Sequence, residues 1–165
     1  MIAALHGAVV GGGLEQAMGL PYPRVADSTT SYALPEGQRG IFGGGGGSVR
    51  LPRLIGLARM QDMMLTGRAY GAVDGEAAGF SQYAVDEGQA LPRAIEVAEW
   101  AAAAAPLTTF AVLHALPRIA EVDPRTGGLM ESLMAAVATS DKDAKTRLRA
   151  FLDGQADKIV HRPVT

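Results

Sequence analysis

The stretch "HGAVVGGGLE", His6 to Glu15, runs an apolar segment into three consecutive glycines and then a carboxylate. Residues 2–10 are short, apolar and followed by glycine, which predicts one buried strand rather than a helix. Leu14 to Met18 can open a helix directly after the glycines. A strand, a glycine run and a helix start together expose unpaired backbone N–H groups where something can approach the chain closely. The helix dipole favours negative charge at the same place. Glu15 taken alone is therefore most simply an acid of the first helical turn.

Outward from this stretch, Pro21 and Pro23 stop the first helix, and 24–26 and 31–34 read as short strands. A second glycine-rich element follows, "ALPEGQRGIFGGGGGSVRLPRLIG", residues 33–56. Pro35-Glu36-Gly37 makes a turn and glycines 43–47 a loop. Ser48 is placed to cap a helix through Leu54 and Ile55, which Pro52 must shorten or kink. Residues 57–66 are helical and end at Gly67, 72–79 form a short helix, and 82–85 a strand.

From Leu91 the character changes to helix only. One helix covers 91–105 and ends at Pro106. Another covers 108–120, interrupted by Pro117. Leu129, Leu133, Met134 and Val137 share one apolar face. Ser140-Asp-Lys-Asp143 resembles a capping box that opens a last helix carrying Ala144, Leu148, Phe151 and Leu152 on one face. The division is a mixed α/β part, 1–90, and a helical part, 91–165.

Composition narrows the function. The absence of cysteine excludes disulfides, thiolate zinc sites and a thiol nucleophile. A net charge of −2 without a basic run argues against a nucleic-acid partner. No apolar run approaches the roughly 20 residues that span a membrane, and the N-terminus lacks signal-peptide features, so the expected setting is cytoplasmic.

The glycine clusters fail the nucleotide tests. The dinucleotide fingerprint G-x-G-x-x-G started at Gly11 ends on Gln16, at Gly43 on Ser48 and at Gly45 on Arg50; the P-loop lysine is missing before Ser48. An oxyanion hole fits better, because glycine lets a substrate carbonyl reach the free N–H groups; one such donor is worth roughly 10²–10³ in rate. A carboxylate beside it can hold a water or move a proton. Glu36 is the second candidate, and each glutamate stands in sequence beside its own glycine cluster.

His6 before the glycines is better read as a strand-end side chain than as a base. His114 and His161 lack partners at ligand spacing, so no metal is expected. Arg50 reads as a cap or ion pair before it reads as a phosphate ligand. Met60, Met63 and Met64 read as core filler.

Four elements in order, "HGAVVGGGLE", the Pro35-Glu36 element with Gly40, "GGSVRL" at 46–51, and "MMLTGRAY" at 63–70, resemble the enoyl-CoA hydratase/isomerase (crotonase) superfamily. The resemblance implies a partial spiral core of ββα units followed by a helical C-terminal assembly region that forms trimers or hexamers. It implies an acyl-CoA thioester substrate and no cofactor beyond the coenzyme A of that substrate. Gly12 then matches an oxyanion N–H, Gly13 and Gly44 match substrate-side backbone, and Glu15 with Glu36 match the acid/base pair of a hydratase. A double-bond isomerase working with one glutamate, or a non-catalytic fragment that only assembles, are the alternatives. The family's N-terminal portion, with the other oxyanion N–H, would lie upstream of Met1. The segment 19–23 stands where the family continues a helix. Glu15 and Glu36 are one residue further apart than is usual there. Phe151 and Lys158 match positions where a neighbouring subunit touches the adenine.

Overall fold

The computed structural model of the chain describes residues 1–20 and 23–156. Pro21, Lys158 and His161 lie outside the described residues. The chain forms two compact units, the first Met1–Ala98 and the second starting at Glu99.

The first unit is built from paired strands that part company. β1 (Ala3–Leu5) and β2 (Ala8–Val10) enter two different sheets. The single strand expected over 2–10 is thus two strands. Gly7 breaks it: φ of 59° turns the chain through a corner that other residues rarely adopt. β3 (Arg24–Asp27) and β4 (Ser31–Ala33) repeat the move. β3 lies parallel to β1, with Ala3 opposite Arg24, and β4 lies parallel to β2, with Val10 opposite Ala33. α1 (Gly12–Ala17) connects the two strand pairs.

After β4 come a 3₁₀ turn (Gly37–Arg39), α2 (Gly47–Ile55) and α3 (Leu57–Thr66). β5 (Tyr70–Gly71) then adds antiparallel to β4. α4 (Ala72–Ala78) returns the chain to β6 (Tyr83–Val85), parallel to β3. The result is an α/β coil of ββα turns with sheets β1-β3-β6 and β2-β4-β5. Leu14, Tyr32, Leu34, Leu51, Ile55, Met63 and Phe80 fill the space between them, and the Tyr32 and Phe80 rings stack at 4.7 Å. Met60 and Met63 are core residues, and Met64 packs against them.

Two helix starts differ from expectation. Ser48 is not the cap of α2; Gly46 is, in a left-handed conformation, and Ser48 lies inside the helix. Pro52 is also inside α2, which still continues to Ile55 and stops at Gly56. α1 is only six residues long, so the proline-rich 19–23 segment follows a helix that has already ended.

α5 (Ala90–Ala102) leads into the second unit. There α6 (Pro106–Phe110), a π-helical turn (Ala111–Ala115) and α7 (Leu116–Ile119) form one irregular rod. The interruption was expected at Pro117, and it lies just before it. Proline has no N–H to give to residue 113 and its ring crowds that carbonyl, so the preceding turn widens. α8 (Pro124–Ser140) is capped by Asp123, whose carboxylate accepts from the Arg125 and Thr126 N–H groups. α9 (Lys142–Leu152) is capped by Asp141, not by Ser140, because Ser140 still belongs to α8 and donates its hydroxyl to Val137 O. Among the described residues no single helix is long and apolar enough to cross a membrane.

The β3–β4 corner carries one titrating stitch. Asp27 accepts from the Thr29 hydroxyl at 2.5 Å, from Thr29 N at 3.0 Å and from Gly88 N at 3.1 Å. The Thr29 hydroxyl bond above all, with the two backbone amides and the nearby His6 against an opposing effect of burial, holds its carboxyl below the usual carboxylate range. A depressed folded-state pKa contributes stability above the unfolded pKa and loses it as pH falls through the folded one. Denaturant midpoints should therefore drop below about pH 4, and Asp27→Asn should be less stable at pH 7 with a shallower acid decline; an unchanged acid limb would show that the stitch contributes nothing.

Candidate active site

β2 and β4 run parallel with Val10 opposite Ala33, and Gly11 N extends the ladder to Ala33 O at 3.0 Å. The chain segments leaving these two strands must therefore emerge side by side. One is the first glycine run, the other is Leu34-Pro35-Glu36. Loops at the carboxyl ends of parallel strands are where α/β folds place their sites.

Glu15 lies on α1 and is 4% exposed. Burying a carboxylate is costly unless hydrogen bonds replace water. Two backbone amides do this: Gly45 N donates to Oε2 at 3.0 Å and Gly47 N donates to Oε1 at 2.9 Å. Gly47 is the first residue of α2, so the helix start supplies an otherwise unpaired donor to an anion. The glycines are sterically required. A Cβ on Gly43, Gly45 or Gly47 would fall 2.9, 2.7 or 2.7 Å from atoms of the Glu15 side chain.

Glu36 opens the 3₁₀ turn and is 7% exposed. Its Oε1 would meet a Cβ on Gly11 at 3.0 Å, and among the described residues its Oε2 is buried with no hydrogen-bond partner. Gly37 beside it packs onto the α3 backbone so tightly that a Cβ would come within 2.2 Å of Met64 O. Ile41 N donates to Glu36 O at 3.1 Å and folds the segment back toward the second glycine run.

The arrangement is crosswise. The sequence pairs each glutamate with its neighbouring glycines, but the fold seats Glu15 in the second glycine loop and Glu36 against the first. Gly12 and Gly13 form the exposed first turn of α1, where N–H groups have no carbonyl one turn earlier in the helix. Gly44 is exposed and directly precedes the first of the two amides that hold Glu15.

Residues outside this group fall elsewhere. His6 is exposed at the β1–β2 corner beside Asp27 and Thr29. His114 lies in the π-helical turn against Phe110. Phe151 on α9 is exposed. Among the described residues no group of three or more His, Asp or Glu could hold a metal ion.

Arg24 carried no functional signal in the sequence, where it only begins a strand. It is fully buried and donates to the carbonyls of Ala17, Met18, Leu20 and Phe80. These include carbonyls at the end of α1 that have no helical partner. Arg24 thus closes the short helix that carries Glu15, a role no spacing rule reveals.

The glycines should separate by what they face. Gly47→Ala should cost about 1–3 kcal/mol, because its Cβ overpacks a buried carboxylate. Gly13→Ala, with nothing within 4 Å of its Cβ, should be neutral or gain up to about 1 kcal/mol. Denaturant unfolding of both variants checks this, and equal effects would refute the cradle.

Comparison with known proteins shows the family. Residues 1–157 match the enoyl-CoA hydratase/isomerase family. A solved structure from Rhodopseudomonas palustris, provisionally described as an enoyl-CoA hydratase, is 64% identical with a TM-score of 0.88, over 93% of this chain and 59% of that one. YngF of Bacillus subtilis, provisionally described as an enoyl-CoA hydratase/isomerase, is 32% identical over 92% of this chain and 58% of its own length. The alpha subunit of a fatty acid oxidation complex from Shewanella amazonensis is 43% identical over 99 residues, which is 14% of that protein. The chain spans under two thirds of the length of each. With four ordered motifs and two buried carboxylates seated crosswise in glycine loops, the chain belongs to the enoyl-CoA hydratase/isomerase family.

Proposed function

We propose that this chain carries the acid/base half of an enoyl-CoA hydratase site. The observation that supports this is the contrast between its two buried carboxylates. Glu15 has one backbone amide donating to each oxygen, which holds the carboxylate in one orientation. Each oxygen keeps a further acceptor position, enough to orient a water and take its proton. Glu36 presents a buried oxygen with no hydrogen-bond partner among the described residues, and this reading gives it the other proton transfer.

In this reading the acyl-CoA thioester oxygen lies at the Gly12 N–H. Glu15 accepts a proton from water, and the water oxygen bonds to C3 of the enoyl chain. The displaced π electrons move to the thioester oxygen as an enolate, which the N–H stabilises. Glu36 in its protonated form delivers a proton to C2 as the carbonyl re-forms. Water has then added across the 2,3 bond. The coenzyme A belongs to the substrate, and no other cofactor is used. The exposed apolar faces of α8 and α9, with Leu129, Leu133, Leu148 and Phe151, are the surfaces this reading gives to self-assembly into a trimer or hexamer.

A second reading has its own observation. Because backbone amides already engage both oxygens of Glu15, Glu36 is the carboxylate with an oxygen left over, and one carboxylate suffices to move a proton between two carbons of a double-bond isomerase. Products separate the readings: a hydroxyacyl-CoA for hydration, a shifted double bond for isomerisation. For a hydratase, Glu15→Gln and Glu36→Gln should each lower kcat by about 10²–10⁴-fold. For an isomerase only Glu36→Gln should. Undiminished turnover of enoyl-CoA by Glu36→Gln would overturn both.

A further inference from the structure

We propose that Arg50 is a positioning residue of this site, tying the Glu15 backbone to the glycine loop that receives the Glu15 carboxylate. Arg50 Nη2 donates to Gly45 O at 2.7 Å and to Glu15 O at 3.2 Å. One nitrogen with two N–H groups thus spans two carbonyls. Gly45 is gripped from both sides, its carbonyl by Arg50 and its N–H by the Glu15 carboxylate. Glu15 is gripped at both ends by the first turn of α2, its carboxylate by Gly47 N and its carbonyl by Arg50. These bonds close a ring that runs from the Glu15 backbone through its side chain, Gly45 and Arg50 back to Glu15.

The ring has a reason to exist. α1 is six residues long and cannot hold Glu15 rigidly by itself. The receiving loop is mostly glycine, whose backbone has the most freedom to lose on ordering. The slot around the guanidinium is cut to fit it: a Cβ on Gly46 or Gly19 would stand 2.6 or 3.0 Å from Nη2. Arg50 Nε stays buried without an acceptor among the described residues. A donor left unpaired is a cost, so the side chain is oriented for the two carbonyls rather than for its own complete pairing.

This role rests on the assignment of Glu15 to proton handling, and two readouts keep the ideas separable. The first needs no turnover. In ¹H–¹⁵N spectra of the full chain, the Gly45 and Gly47 amides bonded to a carboxylate should resonate downfield and exchange slowly. Arg50→Met matches the stem but has no donor, and it should move both signals upfield and speed their exchange. Arg50→Lys has one nitrogen with several N–H groups on a slightly shorter stem, and it should restore part of both. The second readout is kinetic. Arg50→Met should lower kcat by about 10²-fold, as a misplacement of order 1 Å does, with KM little changed, and Arg50→Lys should recover part of that loss. Unchanged Gly45 and Gly47 amides in Arg50→Met would overturn the proposal. If Arg50→Met does not fold, Arg50→Lys with both amides unmoved and kcat unchanged would overturn it too. Amides that respond to Arg50 while Glu15→Gln turns over normally would uphold the positioning role and reject the catalytic reading of Glu15.

Discussion

A buried carboxylate that must find hydrogen-bond donors organises this molecule's first unit. Glu15 is removed from water by the fold, and its two oxygens are satisfied by Gly45 N and Gly47 N. That requirement fixes the composition of the loop. Donors can reach the carboxylate only if no side chain stands in the way, and a Cβ at 43, 45 or 47 would stand in the way. It also fixes where α2 begins, because the first N–H of that helix is one of the donors. The core follows, since α2 then delivers Leu51 and Ile55 into the apolar space between the sheets.

The corners set the site's second half. Gly7 and the Asp27–Thr30 turn send successive strands into different sheets, so each ββα turn repeats the path of the one before. Parallel pairing of β2 with β4 aligns their exits. Glu36 arrives against Gly11 because of that register, twenty-five residues of sequence notwithstanding. Arginines close what glycines leave loose. Arg24 takes the carbonyls at the end of α1, and Arg50 takes those of Glu15 and Gly45.

Much of this was legible in residue order. The glycine run after an apolar strand, the Pro35-Glu36 turn, the helix ending at Gly67 and the change to helix after residue 90 all rest on local rules, and the elements appear there. Misreadings came where local rules compete. Residues 2–10 have the composition of one strand, yet a single left-handed glycine divides it between two sheets. Ser48 and Ser140 are good caps by type, but Gly46 and Asp141 occupy the cap positions because the neighbouring backbone fixes where each helix starts. Arg24 gave no signal and Arg50 read only as a cap or ion pair, since an arginine that donates to backbone carbonyls looks in sequence like any surface arginine.

By itself, the sequence determined where the two glutamates and the two glycine clusters stand and in what order they follow along the chain. The family likeness rests on the same letters. Only the tertiary structure decided which glycine loop serves which carboxylate. Sequence neighbours suggest that each glutamate uses its own glycines, whereas parallel strand pairing carries Glu36 to Gly11 and brings the loop 43–47 to Glu15. The physical reason is that a hydrogen bond acts over about 3 Å in space, and strand register, not distance along the chain, sets which groups come that close.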